Sequence, residues 1–321
     1  MAYQPEQAGV GAVPTPVISV SPVVLAAPDR AVDLQLRISA PRTGHDLPII
    51  LLSHGQGGSN YLSSLNGYGP LVHFWAAHGF VVIQPTHLSS KTLSHDGRVV
   101  NAPGFPLFWR SRVEDMKRII DQLDVIEAAV PEIAGRLDRG RIAVVGHSMG
   151  GHTASLLLGA RLTDEDGTSV DLAEPRIKAG VLLTPPGNGG ADLSAAAAER
   201  VPFFRHPSFA EMTTPTLVVV GDKDVSPHLT VRGADWHADP YFLSPGPKSL
   251  LTIIGGEHLL GGISGYDAAE TTDENPERVA LVQQLTGAYL RTALYSEDAS
   301  WQELSTAVLE NANSTVRIES K

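Results

Sequence analysis

Along the chain, two kinds of hydrophobic pattern alternate. Residues 17–24 (VISVSPVV) and 32–39 (VDLQLRIS) alternate polar and apolar, which predicts two antiparallel strands near the start. The pattern then changes to short, continuous apolar runs: LPIILLS at 47–53, FVVIQ at 80–84, IAVVG at 142–146, AGVLLT at 179–184, TLVVVG at 216–221 and LLTII at 250–254. Such runs are what strands buried on both faces look like. Helical periodicity sits between them. In SRVEDMKRIIDQLDVIEAAV (111–130), Val113, Met116, Ile120, Leu123 and Ile126 share one face. Pro276 opens a second such helix, with Val279, Val282, Leu285, Tyr289 and Ala293 roughly in line.

Strands that alternate with helices predict an α/β fold, a mostly parallel central sheet with helices on both faces and right-handed crossovers. No repeat, low-complexity tract or long linker divides the chain, so residues 1–321 are expected to form one domain with its core at about 17–294. Two segments, about 86–110 and 225–248, are too long for simple turns and are expected to be a lid or cleft walls. The polar tail, about 295–321, is expected to be partly disordered.

Composition narrows the function more than the fold. The chain is 42% hydrophobic and 18% charged, which suits a sizeable core. A net charge of −11 argues against nucleic-acid binding, which needs a basic footprint. The absence of cysteine excludes disulfides, thiolate metal sites and cysteine nucleophiles. No stretch reaches the roughly 18 apolar residues of a membrane span. The first residues, MAYQPEQAGVGAVPTPV, carry no Lys or Arg and no apolar run, so a cytoplasmic location without a signal peptide is expected. Nothing in the pattern fixes the oligomeric state.

The chemistry concentrates at strand ends. GHSMG at 146–150 follows the run IAVVG and precedes the helical segment MGGHTASLLLGA. This is G-x-S-x-G between a strand and a helix, the context in which a sharp turn exposes a nucleophilic serine, here Ser148. SHGQGGS at 53–59 follows another strand. Its glycines would let the backbone approach a developing oxyanion, so the Gln56 amide and the Met149 amide, next to the serine, are the candidate oxyanion donors. TLVVVGDKDVSP places Asp222 and Asp224 at a third strand end, and LLTIIGGEHLLGG places His258 after the last buried strand. Ser148, Asp224 and His258 are therefore the candidate nucleophile, acid and base. Asp222, adjoining the strand, is expected to cap the turn instead. His54 and His147 are expected to buttress their loops. Aromatic residues of the long loops, Phe108, Trp109 and Trp236 among them, either line an apolar cleft as candidate substrate contacts or pack the loops onto the domain. No H-E-x-x-H or comparable ligand spacing occurs, and neither glycine-rich loop fits a nucleotide-binding pattern, so neither a metal nor a bound nucleotide is expected.

With these residues in hand, the chain resembles the α/β-hydrolase superfamily over roughly residues 17 to 294. The segments LLSHGQGGSNYLSSLNGYGPLVHFWAAHGFVVIQPTH and VVGHSMGGHTA look most like the branch holding plant chlorophyllases, platelet-activating-factor acetylhydrolase-like esterases and bacterial cutinase-type polyester hydrolases. The resemblance implies hydrolysis of a small-molecule carboxylic ester through an acyl-enzyme, without a cofactor. It also implies that the residue after the first glycine of the HG turn, Gln56, gives an oxyanion amide. One departure matters. In the platelet-activating-factor group the acid follows the strand after the nucleophile, where this chain reads LLTPPG (182–187) without a carboxylate. The acid is therefore expected one strand later, at Asp224. A non-hydrolytic member of the fold, such as a perhydrolase, lyase or acyltransferase, or a non-catalytic interaction module, would share much of this pattern.

Overall fold

The computed structural model describes residues 14–164, 167–265, 268–311 and 315–321. Its main sheet has nine strands: β1 (Val17–Leu25), β2 (Leu34–Pro41), β3 (Leu47–Ser53), β4 (Val81–Pro85), β5 (Leu137–His147), β6 (Ile177–Leu183), β7 (Thr216–Gly221), β8 (Lys248–Ile253) and β9 (Val316–Ser320). Their spatial order is β1-β2-β4-β3-β5-β6-β7-β8-β9. The six central strands, from β4 to β8, are parallel; β1, β2 and β9 pair antiparallel at the two ends. This is the mostly parallel sheet that the patterning predicts, with the antiparallel N-terminal strands in place, and it agrees with the α/β-hydrolase fold that the resemblance implies.

The continuous apolar runs have a direct structural cause. Successive side chains of a strand point to opposite faces, and here both faces are covered. Ile49 and Leu51 of β3 enter one core with Ile142 and Val144 of β5, while Ile50, Leu52, Ala143 and Val145 enter the other. Helices α2 (Trp109–Asp121) and α3 (Met149–Leu157) pack on the first face through Val113, Met116, Ile119 and Ala154. Helices α1 (Gly69–Ala77) and α4 (Pro276–Leu294) pack on the second through Leu71, Trp75, Val282 and Leu285. The helix predicted over 111–130 is broken: α2 stops at Asp121, Gln122 leaves the helical region (φ −113°, ψ 25°), and a second helix runs over Leu123–Ala129.

The tail corrects its expectation. Residues Ser300–Glu310 form helix α5, whose Trp301 is buried against Tyr289 of α4, and Val316–Ser320 is β9, paired to β8. Its polarity is that of a surface helix and an edge strand, each with one apolar side turned inward. No helix among the described residues is long and apolar enough to cross a membrane.

Candidate active site

The carboxyl ends of β3, β5, β7 and β8 bring the candidate residues to one edge of the sheet, where open parallel sheets collect their ligands. Ser148 lies between β5 and α3 with φ 53° and ψ −119°, a conformation that costs a side-chain-bearing residue on the order of 1–3 kcal/mol. The flanking glycines are sterically required. A Cβ on Gly146 would meet the Gly150 carbonyl oxygen at 2.0 Å, and one on Gly150 would meet the Ser53 carbonyl oxygen at 2.0 Å. The turn is held by the Ser148 N–H, which donates to the Leu183 carbonyl at 3.0 Å.

Ser148 Oγ lies 2.9 Å from His258 Nε2, and His258 Nδ1 lies 2.9 Å from Asp224 Oδ2. Asp224 is 1% exposed, whereas the His258 side chain is 31% exposed and open to solvent. Burial alone would raise the Asp224 carboxyl, but hydrogen bonding with His237 and His258 outweighs it and holds the group below the usual carboxylate range. Asp222 does not cap its own turn as expected; it accepts a hydrogen bond from the Gly255 N–H at 2.6 Å and so ties its turn to the loop after β8.

Close packing of Gly150 on Ser53 and His54 sets the start of α3 against the loop after β3. Among the described residues, neither the Gln56 nor the Met149 amide N–H has a hydrogen-bond partner. Unpaired amide donors are what the candidate oxyanion role of these two residues requires.

A set of buried groups fixes these loops. Tyr68 OH accepts from the Gly55 N–H (2.8 Å) and faces both His147 Nδ1 (2.9 Å) and the Leu62 carbonyl (3.1 Å). His147 Nε2–H donates to the His258 carbonyl at 2.8 Å, and Thr184 Oγ1 donates to the same oxygen at 3.2 Å. Tyr68 and His147 therefore join the loops after β3, β5 and β8. Burial, with the neighbouring His258, pushes His147 down to about 3, so it stays neutral. On the other side, the buried Arg112 of α2 donates to Ser53 Oγ (3.2 Å), Ser89 Oγ (2.6 Å), Thr153 Oγ1 (3.0 Å) and the His54 carbonyl. Ser53 Oγ–H then donates to His87 Nε2, and His87 Nδ1–H to Asp115 (2.8 Å). Burial pushes Arg112 down to about 9, so it remains a cation at neutral pH.

Two candidate substrate contacts are corrected. Phe108 is 2% exposed and packs with Leu88 and Val99 beneath the 86–110 segment. Trp236 is 0% exposed and donates its Nε1–H to the Asn188 carbonyl at 3.0 Å. Both anchor their segments to the domain body. Trp109 is half-buried and packs with Leu107, Phe203 and Leu229 against a cluster containing Met149, Leu193 and Phe204. The segment 225–248 is pinned by further bonds: Arg232 pairs with Asp239, and Asp239 accepts from the Asn188 N–H.

Tyr68, Arg112 and His237 are the site residues that sequence reasoning does not single out. Arg112 and Asp115 left one trace, as charged residues on the buried face of a predicted amphipathic helix. Tyr68 and His237 left none, because their partners are set by tertiary packing.

The sequence of residues 49–312 matches the model of the alpha/beta hydrolase family. The chain belongs to that family. Among curated proteins, this family member is similar to the cutinase est2 of Thermobifida alba, 25% identical over 227 residues, 70% of this chain and 57% of that protein. Cutinase 1 of Thermobifida cellulosilytica is 25% identical over 226 residues, 70% of this chain and 64% of the relative. The cutinase of Thermobifida fusca is 25% identical over 226 residues, 70% and 56% of the two chains. The match thus spans somewhat more than half the length of these relatives.

Proposed function

We propose that this alpha/beta hydrolase is a serine esterase that cleaves small carboxylic esters through an acyl-enzyme. The observation that carries the reading is the continuous chain of contacts from a strained serine to a buried carboxylate: Ser148 Oγ, His258 and Asp224, each link 2.9 Å. The names of the relatives support the same class, since three separate matches are called cutinases.

In this mechanism His258 Nε2 takes the Ser148 proton as Oγ attacks the ester carbonyl. The Gln56 and Met149 amides receive the oxyanion, and each such donor is worth about 10²–10³ in rate in comparable enzymes. Asp224 keeps the imidazole proton on Nδ1 and stabilises the imidazolium. His258 then protonates the leaving alcohol, and water clears the acyl group by the reverse sequence. The wall formed by Leu107, Trp109, Phe203 and Leu229 lies beside Met149 and would receive an apolar part of the ester. The proposed fit is to a substrate with an apolar acyl or alcohol group.

Steady-state kinetics on p-nitrophenyl esters of increasing acyl length test this. Turnover of these esters, with kcat/KM rising as the acyl chain lengthens, is the expected result. Absence of ester turnover, alongside acyl transfer to a nucleophile other than water, would replace hydrolysis with another reaction of the fold.

A further inference from the structure

The Asp224 carboxylate faces a second histidine that the esterase mechanism does not use. His237 lies in the pinned 225–248 segment, its side chain 2% exposed, with Nδ1 2.8 Å from the Pro185 carbonyl oxygen. A carbonyl only accepts, so Nδ1 carries a proton. In the neutral ring Nε2 then presents a lone pair to Asp224 Oδ2, 3.3 Å away, with Ser226 Oγ also at 3.3 Å. On the other side of Oδ2 stands His258 Nδ1 at 2.9 Å, and these three atoms all lie within 4.8 Å of one another. Asp224 Oδ1, also buried, has no partner among the described residues. Buried acceptors that face one another repel unless a proton or a metal ion stands between them. A second proton on His237, at Nε2, gives the hydrogen bond to Asp224 noted above; a metal ion held by the same lone pairs is the alternative. A backbone carbonyl on the far nitrogen is the arrangement that orients metal-ligating histidines.

We infer that Asp224 Oδ2, His237 Nε2 and His258 Nδ1 form an inhibitory binding site for a zinc-class transition-metal ion. Two imidazoles and one carboxylate suit Zn²⁺ or Co²⁺. They do not suit Mg²⁺ or Ca²⁺, which take shells of oxygen. Bonds of about 2.1 Å in a tetrahedron place ligand atoms roughly 3.4 Å apart. The His237–Asp224 edge, at 3.3 Å, already has that length. The His258–Asp224 edge, at 2.9 Å, must open, and His258 is the ring with room to move. A metal on Nδ1 leaves the ring's single proton on Nε2, which then has no lone pair to receive the Ser148 proton. The metal therefore silences the base. This consequence rests on the proposed esterase reading; the binding itself does not.

The experiment uses the full chain freed of metal by a chelator, with two independent readouts. In the first, the Ser148→Ala protein is titrated with Co²⁺, followed by visible absorption and calorimetry. One ion per chain with a tetrahedral spectrum, displaced by Zn²⁺ and abolished in a protein that also carries His237→Gln, is expected. In the second, p-nitrophenyl butyrate hydrolysis is titrated with Zn²⁺ and with Mg²⁺, each variant scaled to its own metal-free rate. His237→Gln is expected to raise the half-inhibitory Zn²⁺ concentration at least ~10-fold, the scale on which even outer-shell partners act. Chelator should restore the wild-type rate, and Mg²⁺ should not inhibit. Failure of the Ser148→Ala protein to bind Co²⁺ overturns the inference, as do equal Zn²⁺ sensitivity of His237→Gln and wild type and equal inhibition by Mg²⁺. Should the double variant not fold, the Co²⁺ stoichiometry and spectrum of Ser148→Ala decide alone. An absence of ester turnover in wild type would count against the esterase reading, and the cobalt titration would still decide the site.

Discussion

Replacing Tyr68 by phenylalanine removes one oxygen atom from the place where three loops meet. Tyr68 is 0% exposed, and burial raises its hydroxyl above the usual phenol range, so the group is a neutral O–H throughout the working pH range. Its one proton goes to His147 Nδ1 or to the Leu62 carbonyl, and its lone pair receives the Gly55 N–H. In the variant the Gly55 N–H has no acceptor in a place closed to water. A buried polar group left unpaired costs about 1–3 kcal/mol. At the roughly 2 °C per kcal/mol that suits a chain of this size, the unfolding midpoint should fall by about 2–6 °C. Gly55 directly precedes Gln56, so the loosened loop misplaces the Gln56 amide. Misplacement of that proposed transition-state donor should lower kcat more than it changes KM. A loss of about 10-fold in kcat is expected, well short of removing the donor. Differential scanning calorimetry and p-nitrophenyl butyrate kinetics on the same preparation check both halves. A variant with wild-type midpoint and wild-type kcat would show that the hydroxyl is not the joint described.

The two aspartates of GDKD should separate cleanly. Asp224→Asn should lower kcat by about 10²- to 10⁴-fold, because the amide can hold the wrong imidazole tautomer; the upper end is the known scale for that change in a serine protease. Asp222→Asn weakens only the bond to the Gly255 N–H and should cost roughly 1 kcal/mol of stability with little change in rate. The Asp224 carboxyl is held below its ordinary value of 3.8, so its contribution to stability is present in full above that pH and is lost as pH falls through the lowered value. The stability difference between wild type and Asp224→Asn, measured by denaturant unfolding, should therefore shrink only below about pH 4. Gln56→Ala should keep most of the activity, because the group proposed to act there is a backbone N–H; a loss of about 10²-fold would assign the role to the side chain.

What could be read from sequence follows from how each feature leaves its trace. The central strands were legible because burial on both faces leaves uninterrupted apolar runs, as in LPIILLS and TLVVVG. The turn around Ser148 was legible because Gly146 and Gly150 admit no Cβ. The tail was misread because α5 and β9 turn single apolar residues inward, Trp301 and Val316, among polar neighbours. The roles of Phe108 and Trp236 are not legible for a different reason. An aromatic in a long loop can line a cleft or nail the loop down, and the two arrangements share one composition. The Tyr68–His147 joint and the His237–Asp224 contact join residues 79 and 13 positions apart through folds that no local pattern encodes.

The central claim, that Ser148 is the nucleophile of an ester hydrolase, is tested most directly by labelling. Wild-type protein treated with a fluorophosphonate and digested should yield one modified peptide, carrying the probe on Ser148, with labelling in proportion to loss of ester turnover. Ser148→Ala should take up no probe and lose on the order of 10³-fold or more in kcat while keeping the wild-type unfolding midpoint. Labelling at another serine, with substantial turnover remaining in Ser148→Ala, would contradict the account.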